Sequence, residues 1–180
     1  MLNRLIMTTL AIAFSPIASF AAGSDDTAPP TPTATTIKCE EGLVYDEKTK
    51  KCVAPVEGAL DDDTLYQAVR ELAYAGKYDA ALTVLAAMSD QSDDRVLTYL
   101  GFINRKMGNV ERGMDYYDVA LSLNPNNILA RSYMGQGLVE QGEMELAQAQ
   151  LDEIVARGGA GTWAETSLRR AIATGTTYTY

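Results

Sequence analysis

Three glycines limit what this chain can fold into. Gly76, Gly108 and Gly142 are 32 and 34 residues apart, and each sits in the same local pattern. Five residues after each comes a small residue (Ala81, Gly113, Ala147), and four further on a large one (Leu85, Tyr117, Leu151). Leu100-Gly101 and Met134-Gly135 lie at matching distances upstream of Gly108 and Gly142. From Asp61 onward apolar residues recur with a period of about 3.6, and no proline intervenes until Pro125. One continuous helix over 107–127 would not want two glycines, since each costs about 0.5–1 kcal/mol relative to alanine. A turn followed by a helix tolerates both: Gly108 ends one helix, and Gly113 sits where another backbone comes close. The spacing therefore predicts a helix–turn–helix unit used three times. One helical pair cannot bury its apolar face alone, so the units must stack.

This pattern resembles the tetratricopeptide repeat (TPR), a 34-residue helix–turn–helix unit. With the turn glycines aligned, the units are 62–93, 94–127 and 128–161. The third has Arg131 where the family places an apolar residue. The resemblance implies an all-α fold, three repeats and a C-terminal capping helix forming an α-solenoid. It also implies a concave groove lined by the first helix of each pair. In the first unit that face carries Tyr66, Arg70 and Tyr74. The second adds Arg95, Thr98, Phe102, Arg105 and Lys106; the third adds Ser132 and Gln136. Arg70, Arg95, Arg105 and Lys106 would gather positive charge beside Tyr66, Tyr74 and Phe102. Aromatic and Arg side chains are the usual anchors of an interface, and an extended segment bearing carboxylates is the expected guest.

The ends of the chain read differently. Residues 1–21 have Arg4, an apolar run from Leu5 to Phe14, a Ser15-Pro16 break and Ser19-Phe20-Ala21, the layout of a cleaved signal peptide. Residues 22–37 are rich in Pro, Thr and Asp, hold no core-forming cluster and read as an extended, disordered linker. Residues 38–56 contain the only two cysteines, Cys39 and Cys52, which in an exported chain most simply form one disulfide. Leu43-Val44-Tyr45 and Lys51-Cys52-Val53 flank a polar turn, so the bond closes a β-hairpin. The pattern Cys39-x-x-Gly42-Leu43-x-Tyr45-Asp46 with Cys52 and Pro55 also resembles part of the peritrophin-type chitin-binding module. That likeness implies glycan contact through Tyr45. At the other end, Thr162 and Glu165 form a capping-box signature and Gly175 a stop, predicting a capping helix over 162–175 packed through Trp163.

Composition removes several function classes. Histidine is absent, which takes away the commonest acid–base group, the commonest metal ligand and any Ser–His or Cys–His nucleophile. The formal charge of −9 argues against phosphate-backbone binding, so no nucleic acid is expected. Two thiols alone make a poor zinc site, and Asp61-Asp62-Asp63 suits a helix start better than a calcium loop. The sequence offers no catalytic residue, no metal site and no cofactor. It reads as a non-enzymatic protein–protein interaction scaffold of the cell envelope, periplasmic or secreted, with no membrane span once the signal is removed. Its expected partner is a protein or peptide, self-association being the open alternative. The rival reading is an envelope glycan binder that uses the Cys39–Cys52 hairpin.

Overall fold

A computed structural model describes residues 27–40, 42–56 and 58–178. The signal-peptide reading of residues 1–21 lies outside them. The described chain is mostly helical, with one small antiparallel hairpin and the Cys39–Cys52 disulfide. In order, it forms α1 (Ala34–Lys38), β1 (Val44–Asp46), β2 (Lys51–Val53), α2 (Asp62–Tyr74) and α3 (Tyr78–Leu85). Then come α4 (Asp94–Lys106), α5 (Val110–Leu123), α6 (Ile128–Gln141), α7 (Met144–Ala156) and α8 (Trp163–Thr174).

Local chemistry sets the helix ends. Asp61 accepts the Thr64 N–H at 2.8 Å and starts α2, Asn127 accepts the Ala130 N–H at 2.8 Å and starts α6. Thr162 starts α8 by accepting the Glu165 N–H, and the Glu165 carboxylate reaches back to the Gly161 N–H at 3.1 Å. The three turn glycines all adopt positive φ: +73° at Gly76, +89° at Gly108 and +80° at Gly142. After each, the next N–H returns to the helix just ended, at 2.9 Å from the Leu72, Asn104 and Leu138 carbonyls. Those bonds satisfy carbonyls that the helix leaves open, and only glycine takes the left-handed turn without a penalty.

Packing follows from the small residues. α2 packs on α3, α4 on α5 and α6 on α7; in addition α2, α4, α6 and α8 contact one another in succession. A Cβ added to Gly113 would lie 2.9 Å from the Gly101 carbonyl oxygen, and one added to Gly101 only 2.5 Å from the Tyr117 ring. α4 and α5 thus meet backbone to backbone, with fully buried Tyr117 filling the space above Gly101. Gly135 performs the same service for α8, since its added Cβ would meet Leu168 at 2.5 Å. Arg131 does not enter this core as an apolar residue would. It folds back to the Pro125 carbonyl at 2.9 Å and to Gln150 at 3.1 Å, tying the α5–α6 turn to α7.

An aromatic spine joins the first helices of the pairs. Tyr66 meets Tyr99 at 5.6 Å between ring centroids, Tyr99 meets Tyr133 at 6.1 Å, and Phe102 lies 4.8 Å from Tyr133 and 5.7 Å from Tyr74. The Tyr74 and Tyr133 hydroxyls share a hydrogen bond at 2.7 Å, so the spine is closed at its polar tips. Each such ring pair adds about 0.5–1.5 kcal/mol beyond the area it buries.

The N-terminal segment departs from the sequence reading. Residues 22–37 read as a disordered tether, yet Ala34–Lys38 is helical and Thr33 caps it. The cause is remote in sequence: Glu71 of α2 supplies the partner that this polar stretch cannot find locally. Val44 of the hairpin is 1% exposed and joins the core that contains Leu65 and Val69.

Candidate functional site

The ten residues expected to line a groove do not share one environment. Tyr66, Arg70 and Arg95 line an open cleft of about 630 Å³, together with Thr27, Asp63, Gln67, Asp94, the turn residues Asn124, Asn126 and Asn127, and Ile128 and Leu129 at the start of α6. Thr98 is not available to a guest: its hydroxyl donates to the Asp94 carbonyl at 2.6 Å and accepts from the Asn127 amide at 3.0 Å. Phe102 has no exposed surface and belongs to the aromatic spine. Ser132 and Gln136 are sealed between α6 and α8, where the Ser132 and Ser167 hydroxyls are 3.1 Å apart. Tyr74 is buried as well.

The basic residues are already engaged. Arg95 holds Asp63 at 2.9 Å and Asp93 at 2.9 Å, with its guanidinium 5.0 Å above the Tyr66 ring. Arg70 donates to the Gln67 side-chain oxygen at 3.0 Å and to the Ala28 carbonyl at 2.6 Å. Arg105 is wholly buried and meets Glu140 at 2.7 Å. Burial opposes charge on Arg105, but Tyr117 and Glu140 outweigh it and raise its pKa. Burial alone would raise the Glu140 pKa too; Arg105 overrides it, and the carboxyl ends below its ordinary value. Burial and then Arg105 depress the ammonium of Lys106, which donates to the Tyr178 carbonyl at 2.8 Å. The expected cationic face for an acidic guest is therefore absent from the cleft. Asp63 and Asp93 answer Arg95, neutral oxygens of Gln67 and Ala28 hold Arg70, and side-chain amides make up much of the remaining rim. Of these amides, Asn124 and Asn127 are bonded to Asp94, and the Gln67 and Asn126 NH2 groups are the donors left to meet a carbonyl.

Several of these residues gave no warning in the sequence. Asn124, Asn126 and Asn127 read as a turn after α5, which they are; their aim into the cleft depends on how α6 packs beside α4. Asn124 and Asn127 converge on one Asp94 oxygen at 2.9 and 2.6 Å, which fixes the turn against the start of α4. Glu71 is 5% exposed and carries no motif. In the hairpin, the Lys38 ammonium stands 5.6 Å from the Tyr45 ring centroid, so the face expected to meet a sugar already has a cation on it.

Among the described residues no cluster of His, Cys, Asp and Glu is arranged to hold a metal ion, and no helix is long and apolar enough to cross a membrane. Compared with known proteins, the chain matches no family model, and no curated protein or solved structure is significantly similar to it.

Proposed function

We propose that this chain is a non-enzymatic protein–protein interaction scaffold of the cell envelope, built of three TPR-like helix pairs and a capping helix stacked as a short α-solenoid. The cleft beside α2 and α4 receives an extended segment of a partner protein. The period of 32 and 34 residues between turn glycines supports the repeat reading, as does the way α2, α4, α6 and α8 follow one another. One observation carries the functional reading: the 630 Å³ cleft is open, has Tyr66 and Leu129 as apolar floor, and is edged by Gln67, Asn124, Asn126 and Asn127. The Gln67 and Asn126 side-chain oxygens accept from Arg70 and Arg157, which leaves their amide N–H groups to donate to backbone carbonyls of a strand-like guest.

The test is local. A photo-crosslinking residue at Gln67 should trap a discrete partner from envelope extract, whereas the same probe at exposed Val119 on α5 should not. Replacing Asn126 by Ala in the Gln67 probe protein should reduce the yield about tenfold, the effect of losing roughly 1.4 kcal/mol of binding. Equal trapping from both probe positions would discard the cleft.

A further inference from the structure

The remainder of the α2 face is not empty, because the chain lies across it. Both oxygens of the buried Glu71 carboxylate are taken by Thr33 and Thr36. The Thr33 N–H donates to Oε1 at 2.6 Å and its hydroxyl to Oε2 at 2.7 Å; the Thr36 N–H donates to Oε1 at 3.2 Å, and the Thr36 hydroxyl donates to the same oxygen. Five residues before Thr33, Arg70 grips the Ala28 carbonyl. Further back, the Thr27 hydroxyl accepts the Ala164 N–H at 3.0 Å, at the start of α8. Residues 27–33 thus cross from α8 to α2. Between the anchors they span a cavity of about 210 Å³ walled by Pro30, Pro32, Thr36, Glu71, Tyr74 and Ala75.

We propose that the Glu71 face of α2 is a recognition site for an extended, proline-containing segment with hydroxyl residues three positions apart, and that residues 27–36 are its resident ligand in cis, displaced when a partner segment of that pattern binds. This rests on the reading of the first-helix face as a peptide site and adds its guest chemistry and its control. The pattern comes from the geometry. In the resident segment the two N–H and two O–H donors come from residues i and i+3 at the opening turn of α1, which follows the extended prolines, and Arg70 holds a carbonyl five residues upstream of the first.

Exchange is favoured by how the resident segment is held. Pro29, Thr31, Pro32 and Thr33 are exposed, and within 27–36 only Thr27 and Thr35 are buried, so the strap adheres at a few polar anchors, with Thr35 also holding the Tyr45 N–H of the hairpin, and buries little apolar surface. A proline-rich strand is stiff before it binds and loses little chain entropy on docking, which lets a short peptide compete. Replacing one set of hydrogen bonds by an equal set leaves the bonding at Glu71 unchanged, so the guest has to offset only its own loss of freedom on association.

The experiment uses the full chain and a fluorescent synthetic peptide of residues 27–38. Wild-type protein should bind it weakly; the Thr33→Ala/Thr36→Ala protein, whose own strap has lost its hydroxyls, should bind it at least about tenfold more tightly with one-to-one stoichiometry. Adding Glu71→Gln to that variant should abolish the gain, and a peptide with both threonines replaced by alanine should not bind. In wild-type protein, an excess of unlabelled peptide should speed hydrogen exchange at the Thr33 and Thr36 amides, a readout that needs no variant to fold. Equal peptide affinity for wild type and variant, binding indifferent to Glu71, dimerisation without peptide uptake, or unchanged amide exchange would each overturn the proposal. Such a failure would leave trapping at Gln67 intact, so the two readings fail separately.

Discussion

Arg105 and Glu140 show how one side chain can be chemically legible and spatially misplaced. The sequence puts Arg105 on the first helix of the second unit, and it is there, but its guanidinium points into the protein. An added Cβ on Gly137 would lie 2.9 Å from Arg105 Cδ, so the glycine makes room for the stem of Arg105 on its way to Glu140. Replacing Glu140 by Gln leaves a buried cation facing a neutral amide. We expect a loss of about 1–2 kcal/mol in urea unfolding at pH 7, at the modest end because the carboxylate is 34% exposed. The Glu140 pKa is lower in the folded chain than in the unfolded one. Its contribution is therefore full above the ordinary glutamate value and disappears as pH falls through the lower folded value. The difference between wild type and Glu140→Gln should narrow once pH falls below the ordinary glutamate value; a gap that stays constant through that range would show that the pair carries no charge linkage. Gly108 was readable because its reason, a left-handed turn, is local, and Gly113 because the helix it meets is the one just before it in the chain. Whether Arg105, Ser132 or Gln136 faces a guest depends on which distant element lands on top.

At the level of elements, starts and stops were the most legible features. Asp61, Thr162 and Gly175 mark the ends of α2 and α8, where side chain and backbone meet within a few residues. α1 was not legible: five residues, ATTIK, have no helical reason of their own and take their shape from Glu71, nearly forty positions away. The hairpin sits between these cases. Its alternation and its two cysteines were readable, and the register pairs Tyr45 with Cys52 and Val44 with Val53. What was hidden is that the Thr35 hydroxyl accepts the Tyr45 N–H at 3.2 Å, so hairpin and α1 dock on α2 as one piece. Replacing both cysteines by serine removes a cross-link over a 13-residue separation. The expected loss is up to about 3 kcal/mol, seen as faster tryptic cleavage at Lys48, Lys50 and Lys51 and a lower urea midpoint. If neither moves, the disulfide is not what orders this piece.

For the molecule as a whole, the number of helical pairs and their order were written in the glycine spacing, while the closure of the structure was not. Both ends of the described chain fold over the same face. The Thr27 hydroxyl takes the first free N–H region of α8, and Thr177 and Tyr178 return to Glu140 and Lys106, with the Tyr178 ring 4.8 Å from Trp163. No periodicity announces such contacts, since they join residues up to 137 positions apart. They bear on unfolding. Trp163 is the only tryptophan and reports on α8, whereas far-ultraviolet circular dichroism reports on every helix. The two should trace one coincident urea transition; an earlier loss of the Trp163 signal would mean that α8 peels away by itself. A terminal helix that touches its neighbours only along its flank can swing away like a loose shutter. Clasping Thr27 to Ala164 latches that shutter: α8 is joined to the segment that lies on α2, and the two part only when the latch is undone.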